Sequence, residues 1–398
     1  MRSNYRKLGD YIRDVNIRNA DLSITKLLGV SMEKTFISSV ANIIGTDMSL
    51  YKVLKKGQLA CKLMSVGRDE KLPVDLYNEN EDAIVSSAYY VFEPIDSSII
   101  LPEYLFMWLC RPENDRYIGY ISGGDVRGGI SWETFCETPI KVPSVSKQKE
   151  IVKEYNVILN LITINQRQIQ KLEETIQTIY KQWFVDFEFP YDFALGKPVI
   201  NGIPFKSNGG EMTWNEELEK EIPKEWKYED LGKITIIKAG GDKPKIFSVV
   251  KTNKCKIPIF SNSSFNEGLF GYTNDATVLK DSITISARGA IIGYTELRTE
   301  PFVPIVRLIV VIPKHEYQLN YIFHCIKNFK YDDSGSAQGQ LTVPEISSFK
   351  VITPDSEVLS KYQIITSKFT RYLNIKKNEN KKLEELKELL LSKLATIN

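Results

Sequence analysis

Ile130-Ser-Trp-Glu-Thr-Phe135, closing at Ile140-Lys-Val-Pro143, is answered by Leu341-Thr-Val-Pro-Glu-Ile346, closing at Val351-Ile-Thr-Pro354. Adding 211 to each residue number carries the first stretch onto the second, without a gap from Ile130–Phe184 to Leu341–Ala395. Each copy leads into a long amphipathic segment, one carrying Lys171-Leu-Glu-Glu174 and the other Lys382-Leu-Glu-Glu385. An upstream echo, Lys7-Leu-Gly-Asp10 against Asp230-Leu-Gly-Lys233, has an offset of 223 (Leu8 to Leu231). The second half is therefore 12 residues shorter between these landmarks, since 223 less 211 is 12. Each half reads as a globular segment, a Pro-ended strand and a long helix. A repeat on this scale implies two like sites held a fixed distance apart.

The first long helix is expected from about Ser146 to Phe184. Its apolar positions, Ile151, Tyr155, Ile158, Ile162, Ile169, Leu172, Ile176, Ile179 and Trp183, alternate in steps of four and three around one polar residue, Asn165. That is a heptad seam, and it predicts a partner helix. About 39 residues at 1.5 Å each make a rod of roughly 58 Å. The second helix is expected from about Glu357 to Ala395. Its seam would use Ile365, Phe369, Tyr372, Leu383, Leu386 and Leu390, with a polar interruption at Lys376 and Glu379. Asn165 plus 211 is Lys376, so antiparallel packing would bring the two polar middles together and fix register. The alternative is a solvated stretch between shorter helices.

These readings divide the chain into a first globular domain (1–144), a first helix (145–188), a connector (189–225), a second globular domain (226–355) and a second helix (356–398). The connector is marked by four glycines and two prolines between Asp192 and Gly210. Strands are expected at Leu22–Val30, Ala83–Phe92, Thr138–Val142, Ile234–Lys238, Ser282–Ser286 and Phe302–Ile312. Helices are expected at Pro102–Cys110 and Asn320–Lys327, and glycine loops at 122–129 and 334–339, each preceding a strand. The fold class is α+β: two α/β domains in a pseudo-two-fold repeat, separated by long helices packed as an antiparallel coiled coil.

The chain has 398 residues, enough for two or more domains, and its 52 basic and 50 acidic residues leave a net charge of +2. Any polyanion-binding face must then come from local clustering. Five scattered cysteines without a CxxC pair read as reduced thiols in a cytoplasmic protein. No apolar run is long enough to span a membrane, and the N-terminal residues do not read as a signal peptide. His315 and His324 lack a Ser or Cys partner in a nucleophile arrangement, and zinc-ligand spacing and nucleotide phosphate loops are missing. Asp186 and Glu188, at the end of the first helix, read as docking or capping groups. No catalytic residue and no metal site is expected.

Binding residues are more visible. Lys62, Arg68 and Arg127 stand near turns of the first domain. In the second, six lysines fall between Lys238 and Lys256, among them Lys243 and Lys245, followed by Arg288 in Ser286-Ala-Arg-Gly289. Arg127 and Gln338 lie in matching glycine loops, where a bare backbone allows close approach. Lysine and arginine neutralise phosphates, and arginine and glutamine read base edges. Singly, each is an ordinary solvated charge.

Taken together, the pattern resembles the specificity subunits of type I restriction–modification systems, over essentially the whole chain. The local signals are Lys181-Gln-Trp-Phe-Val-Asp-Phe187, Gly209-Gly-Glu-Met-Thr-Trp-Asn-Glu-Glu217, Glu221-Ile-Pro-Lys-Glu-Trp226 and Ile283-Thr-Ile-Ser-Ala-Arg-Gly289. The resemblance implies two target-recognition domains, each reading half of a bipartite site in double-stranded DNA, with the helices as an antiparallel spacer. A 58 Å rod corresponds to about 17 base pairs. It also implies two modification (adenine methyltransferase) subunits bringing S-adenosylmethionine, and restriction subunits bringing ATP- and Mg-dependent translocation and cleavage. This chain would supply address rather than chemistry, with no cofactor of its own. A different reading is a coiled-coil interaction scaffold whose two modules bind protein rather than DNA.

Overall fold

A computed structural model describes residues 5–39, 45–64, 66–123, 128–329, 331 and 340–396. The chain forms two compact units, Met1–Arg167 with Lys377–Asn398, and Gln168–Lys376. The division falls inside both long helices, so each unit owns part of each helix.

The first unit contains, in chain order, β1 (Arg6–Lys7), β2 (Ile12–Asp14), β3 (Leu27–Val30), β4 (Phe36–Ser38), β5 (Lys52–Leu54), β6 (Leu59–Cys61), α1 (Val66–Asp69), β7 (Val74–Leu76), β8 (Ala83–Val85), β9 (Tyr90–Pro94), α2 (Pro102–Leu109), α3 (Pro112–Ile121), α4 (Trp132–Cys136), β10 (Pro139–Ile140) and the start of α5 (Val145–Phe184). One sheet has the order β2-β9-β6-β7 and another β4-β3-β8-β5, in which β3 runs parallel to β8. Proline opens α2 and α3, where a missing N–H costs nothing. Leu8, Phe92, Tyr104, Trp108 and Phe135 fill the core. Ile151 and Tyr155 of α5 share that core with Leu391 and Leu394. Gln148, fully buried, accepts from Leu101 N and donates to the carbonyls of Ile99 and Pro143, each at 2.8 Å, tying the first turn of α5 to the segment before α2.

The second unit holds the rest of α5, then β11 (Pro190–Asp192), β12 (Lys197–Pro198), β13 (Ile203–Pro204), β14 (Met212–Asn215), β15 (Lys220–Pro223), β16 (Lys227–Asp230), α6 (Leu231–Ile234), β17 (Thr235–Ala239), β18 (Ile257–Phe260), β19 (Leu269–Thr273), β20 (Ser282–Ser286), β21 (Thr295–Arg298), β22 (Val303–Pro304), β23 (Leu308–Pro313), α7 (Leu319–Lys327), α8 (Val343–Ser347), β24 (Lys350–Thr353) and the start of α9 (Ser356–Lys393). Its sheets are ordered β17-β23-β20-β21 and β19-β18-β22, with β18 parallel to β22. The first order repeats that of the first unit, and the second repeats β4-β3-β8 with its parallel pair, without a described strand that answers β5. The register repeats too. Leu8 N donates to Thr138 O at 2.8 Å, and Leu231 N to Phe349 O at 2.7 Å. Trp183 and Phe184 of α5 pack with Val358, Leu359 and Tyr362 of α9. The rings of Phe184 and Tyr362 lie 4.8 Å apart, and Phe189 stacks on Trp226 at 5.2 Å.

Both long helices are single and uninterrupted, which removes the alternative of shorter pieces. On α5 the expected face is buried at Ile158, Ile162, Asn165 and Ile176, with Ile169, Leu172 and Ile179 half-buried. On α9 the expected seam needs correction. Tyr372 and Leu386 are 45% and 47% exposed, while Tyr362, Thr366, Leu373 and Leu391 are buried. Phe369, Lys376, Leu383 and Leu390 are half-buried. The buried face follows the repeat rather than the apolar letters: Ile162 plus 211 is Leu373, and Tyr155 plus 211 is Thr366.

Other expectations shift for local reasons. Leu22 is left-handed (φ 56°), so the strand over Leu22–Val30 begins only at Leu27. Ala83–Phe92 is two strands, β8 and β9, broken by a turn in which Tyr89 N donates to Ser86 O. Phe302–Ile312 is also two, because Arg307 is left-handed (φ 72°) between β22 and β23. The stretch read as a connector carries β11–β15, with Glu188 Oε2 accepting from the Ser207 N–H and hydroxyl at 3.1 Å each. The glycine loops lead into short helices, α4 and α8, before the strand. Ser131 caps the first, and a Thr342–Glu345 capping box closes the second, so each N-terminus already has its own acceptor.

Candidate nucleic-acid interface

β17 is an edge strand of the second unit, and Ile236 and Lys238 are exposed on one face of it. The chain then turns at Gly240, where a Cβ would lie 2.4 Å from the Ile305 carbonyl oxygen, so only glycine fits. Residues 241–256 cross the surface, pinned where Ser248 and Tyr272 exchange two backbone hydrogen bonds of 2.8 Å. Thr273 Oγ1 adds a bond to Ile246 O at 2.7 Å. Lys238, Lys243, Lys245, Lys251, Lys254 and Lys256 are all exposed, and none is ion-paired with a described residue. The Lys243 ammonium sits 3.9 Å from the Phe247 ring centroid and 5.9 Å from that of Phe270. Six lysines without an ion pair to a described residue, with aromatic rings among them, make a surface that attracts a polyanion.

Beside this patch, residues 261–268 form a turn held from two sides. Arg288 N donates to Asn262 Oδ1 at 3.1 Å, and Asn262 Nδ2 donates to Arg288 O at 2.9 Å. Arg288 is half-buried and has further interactions of its own. Arg298, only 6% exposed, donates from Nε to Thr284 Oγ1 at 3.1 Å and from Nη2 to Glu267 O at 2.5 Å. Its guanidinium lies 3.6 Å from the Phe260 ring centroid, and burial lowers its pKa. Asn266, Glu267 and Gly268 are all left-handed, at φ 47°, 54° and 82°. Phe265, next to them, is 85% exposed.

In the first unit several cations are answered by acids. Lys26 pairs with Glu79, Lys34 with Asp115, Lys55 with Asp82 and Lys71 with Glu33. Arg13 and Glu93 face each other across β2 and β9. Lys62 is half-buried after β6, its N–H bonded to Pro73 O at 3.1 Å, without an ion pair to a described residue. Arg68 belongs to α1, but its side chain lies outside the described residues, as do Arg127 and Gln338 entirely. Sequence reading singled out Lys238, Lys243, Lys245 and Arg288, which the structure places as three exposed lysines and a half-buried arginine. It missed Phe247, Phe265, Phe270 and Arg298. Of these, Phe247 falls between Lys245 and Lys251, Phe265 and Phe270 follow the last lysine of the run, and Arg298 resembled any strand-end arginine.

His324 is packed, 7% exposed, with its ring 5.6 Å from that of Tyr180, and burial drives its pKa down to about 3. Among the described residues no group of three or more His, Cys, Asp or Glu could hold a metal ion, and no helix is long and apolar enough to cross a membrane.

A family model described as "Type I restriction modification DNA specificity domain" matches residues 75–174 and 223–388, more than half of the chain. The Haemophilus influenzae type I restriction enzyme HindI specificity subunit is 23% identical, over 97% of this chain and 97% of that protein. The Methanocaldococcus jannaschii type I restriction enzyme MjaIX specificity subunit is 25% identical, over 74% and 68%. The Mycoplasma pneumoniae protein S.MpnORF507P is 36% identical over 39% of this chain, and the match spans only 41% of that relative's length. The crystal structure of the S subunit of a type I restriction–modification system from M. genitalium is similar in fold, with a TM-score of 0.59, 16% identity and coverage of 98% and 95%. This chain belongs to the family of type I restriction–modification DNA specificity subunits.

Proposed function

We propose that this chain reads a bipartite site in double-stranded DNA, one half with each globular unit, and carries no catalytic group of its own. The repeated strand order and register support two equivalent readers. The observation that carries the reading is the uncompensated lysine patch from Lys238 to Lys256, with Arg288 beside it. In the first unit, Lys62, Arg68 and Arg127 are the counterparts, and Gln338 joins the second set. The helices pair antiparallel as a coiled coil, relate the two readers by a pseudo-two-fold, and act as a ruler. Asn165 and Lys376 lie at its polar middle and fix its register. The reading draws support from core residues of α5 sharing clusters with α9 at both ends of the chain segment they span.

The chain recruits two modification subunits, which bind S-adenosylmethionine, and restriction subunits, which use ATP and Mg. The complex acts in the cytoplasm. Two readers on one ruler gain specificity because spacing must match as well as sequence. Removing one turn from each long helix, at equivalent repeat positions, is expected to change the spacer length selected from a random-sequence duplex pool and leave both half-sites intact. Altered half-sites with an unaltered spacer would overturn the ruler. Failure of the wild-type chain to select any sequence, alone or with a methyltransferase subunit, would overturn DNA reading itself and favour the protein scaffold.

A further inference from the structure

We propose that Phe265 is a wedge that enters the DNA base stack within the half-site read by the second unit. The inference rests on the DNA-reading proposal above and goes beyond it by naming the residue and the mode of contact.

Phe265 is the most exposed large apolar side chain among the described residues, at 85%. A phenylalanine left in water gives up the burial that its ring would gain almost anywhere else. Its loop is also built at a cost. Asn266 and Glu267 are consecutive non-glycine residues in the left-handed region, each disfavoured by roughly 1–2 kcal/mol. Gly268 closes the turn where a Cβ would meet the Ser261 carbonyl oxygen at 2.8 Å. Such outliers persist only where the surroundings over-determine them.

Here the surroundings do. The buried Arg298 guanidinium holds Glu267 O, and Asn262 is bolted to the Arg288 backbone by two hydrogen bonds. The ring is therefore presented from a rigid turn, so little conformational entropy is lost on insertion. Nothing in the second unit covers it among the described residues.

The chemistry around the loop selects the occupant. The neighbouring surface carries six lysines without an ion pair to a described residue, and Phe247 and Phe270 under the Lys243 ammonium, so an apolar protein partner would have to desolvate a cationic field. A duplex meets both demands: its phosphates neutralise the lysines, and its stack accepts an aromatic ring. Apolar wedges at base steps kink DNA, most cheaply at flexible pyrimidine–purine steps.

The test uses the full chain co-expressed with a type I methyltransferase subunit. Duplexes are selected by the wild-type complex from a random-sequence pool. One winner is then resynthesised with 2-aminopurine at successive positions, whose fluorescence rises on unstacking. Wild type is expected to light one step in one half-site. Phe265→Ala should abolish that signal and lower affinity for the selected duplex about 10- to 100-fold, the range of base–aromatic stacking, with non-specific binding unchanged. Phe265→Leu should retain part of both, since leucine also serves as a wedge. If wild type selects a sequence but Phe265→Ala binds and fluoresces as wild type does, the wedge is overturned and DNA reading stands. If Phe265→Ala instead loses the methyltransferase subunit with DNA binding intact, the loop is a protein contact and the wedge is overturned. If wild type selects no sequence, both proposals fall.

Discussion

The loop between β3 and β4 and the loop between β18 and β19 occupy the same place in the same strand order, yet they are built to opposite ends. In the first unit Lys34 is left-handed (φ 58°) and turns its ammonium inward, donating to Leu109 O at 2.9 Å and Asp115 Oδ1 at 2.8 Å. In the second, the left-handed residues lift Phe265 outward, and the inward cation is Arg298 from β21. The same contrast extends to the surface. Lys26, Lys55 and Lys71 of the first unit are paired with acids, whereas none of the lysines from Lys238 to Lys256 is ion-paired with a described residue. A shared scaffold thus fixes where the loops emerge, and loop chemistry decides what they meet. Under the proposed function, two readers with different loops need not contact DNA alike, even on one topology.

The first way to press this comparison is to test the parts that should be alike. Ile162 and Leu373 are repeat mates, 5% and 8% exposed. Either one replaced by Ala should cost about 2–5 kcal/mol in denaturant melts. Leu386→Ala, at a site 47% exposed, should stay within about 0.5 kcal/mol. A large loss at Leu386 would restore the seam expected from the apolar letters.

The next test separates the units by pH. In the second, burial depresses His324 from 6.5 to about 3, so the unfolded chain binds the extra proton. Stability from that neutral imidazole is full above pH 6.5 and declines as pH falls toward 3. Between pH 7 and 5 the loss should be about 2 kcal/mol. In the first, burial raises Asp75 from 3.8 to about 6, outweighing the N–H groups of Phe36 and Leu76 that hydrogen-bond its carboxylate. The folded state then binds the extra proton, and stability declines as pH rises from 3.8 to 6. Going from pH 7 to 5 should restore about 1 kcal/mol after allowing for partial exposure. Separate probes on the two units should therefore shift in opposite directions. His324→Leu should flatten the second response and Asp75→Asn the first, and parallel shifts in wild type would contradict the assignment.

The smallest effect concerns surface charge. Lys243, Lys245 and Lys251 changed to Gln should reduce the salt dependence of DNA binding, by a slope of about 0.9 for each lysine that faces a phosphate. The same change at Lys26, Lys55 and Lys71 should leave the slope nearly untouched. Equal effects at the two sets would erase the contrast between the surfaces.

What could be read from the letters follows the range of the interactions involved. The long helices and the first seam are local periodicities, and they were legible at Ile158, Ile162 and Ile176. The second seam misled because its buried face includes Thr366, and half-buried Lys376 and Lys387, while Tyr372 and Leu386 look apolar but face out. The 211-residue offset, applied residue by residue, would have corrected it. The pairing of β3 with β8 joins residues over fifty positions apart, which no local pattern encodes. Phe265 was hidden because its exposure depends on three successive left-handed residues, and of those only Gly268 announces itself.

The first unit is closed by residues 377–398, with Leu391 and Leu394 in its core and the Lys141 ammonium on the Ala395 carbonyl. On the ribosome this reverses the usual order of maturation. The second unit is one unbroken run, residues 168–376, and can complete itself while the first still waits. Until the closing helix emerges, Ile151 and Tyr155 lack their cover, so the nascent chain holds an exposed apolar face from the synthesis of Tyr155 until Leu391 and Leu394 arrive. Chaperones and partner subunits should find the first unit, made earliest, to be the one that is finished last.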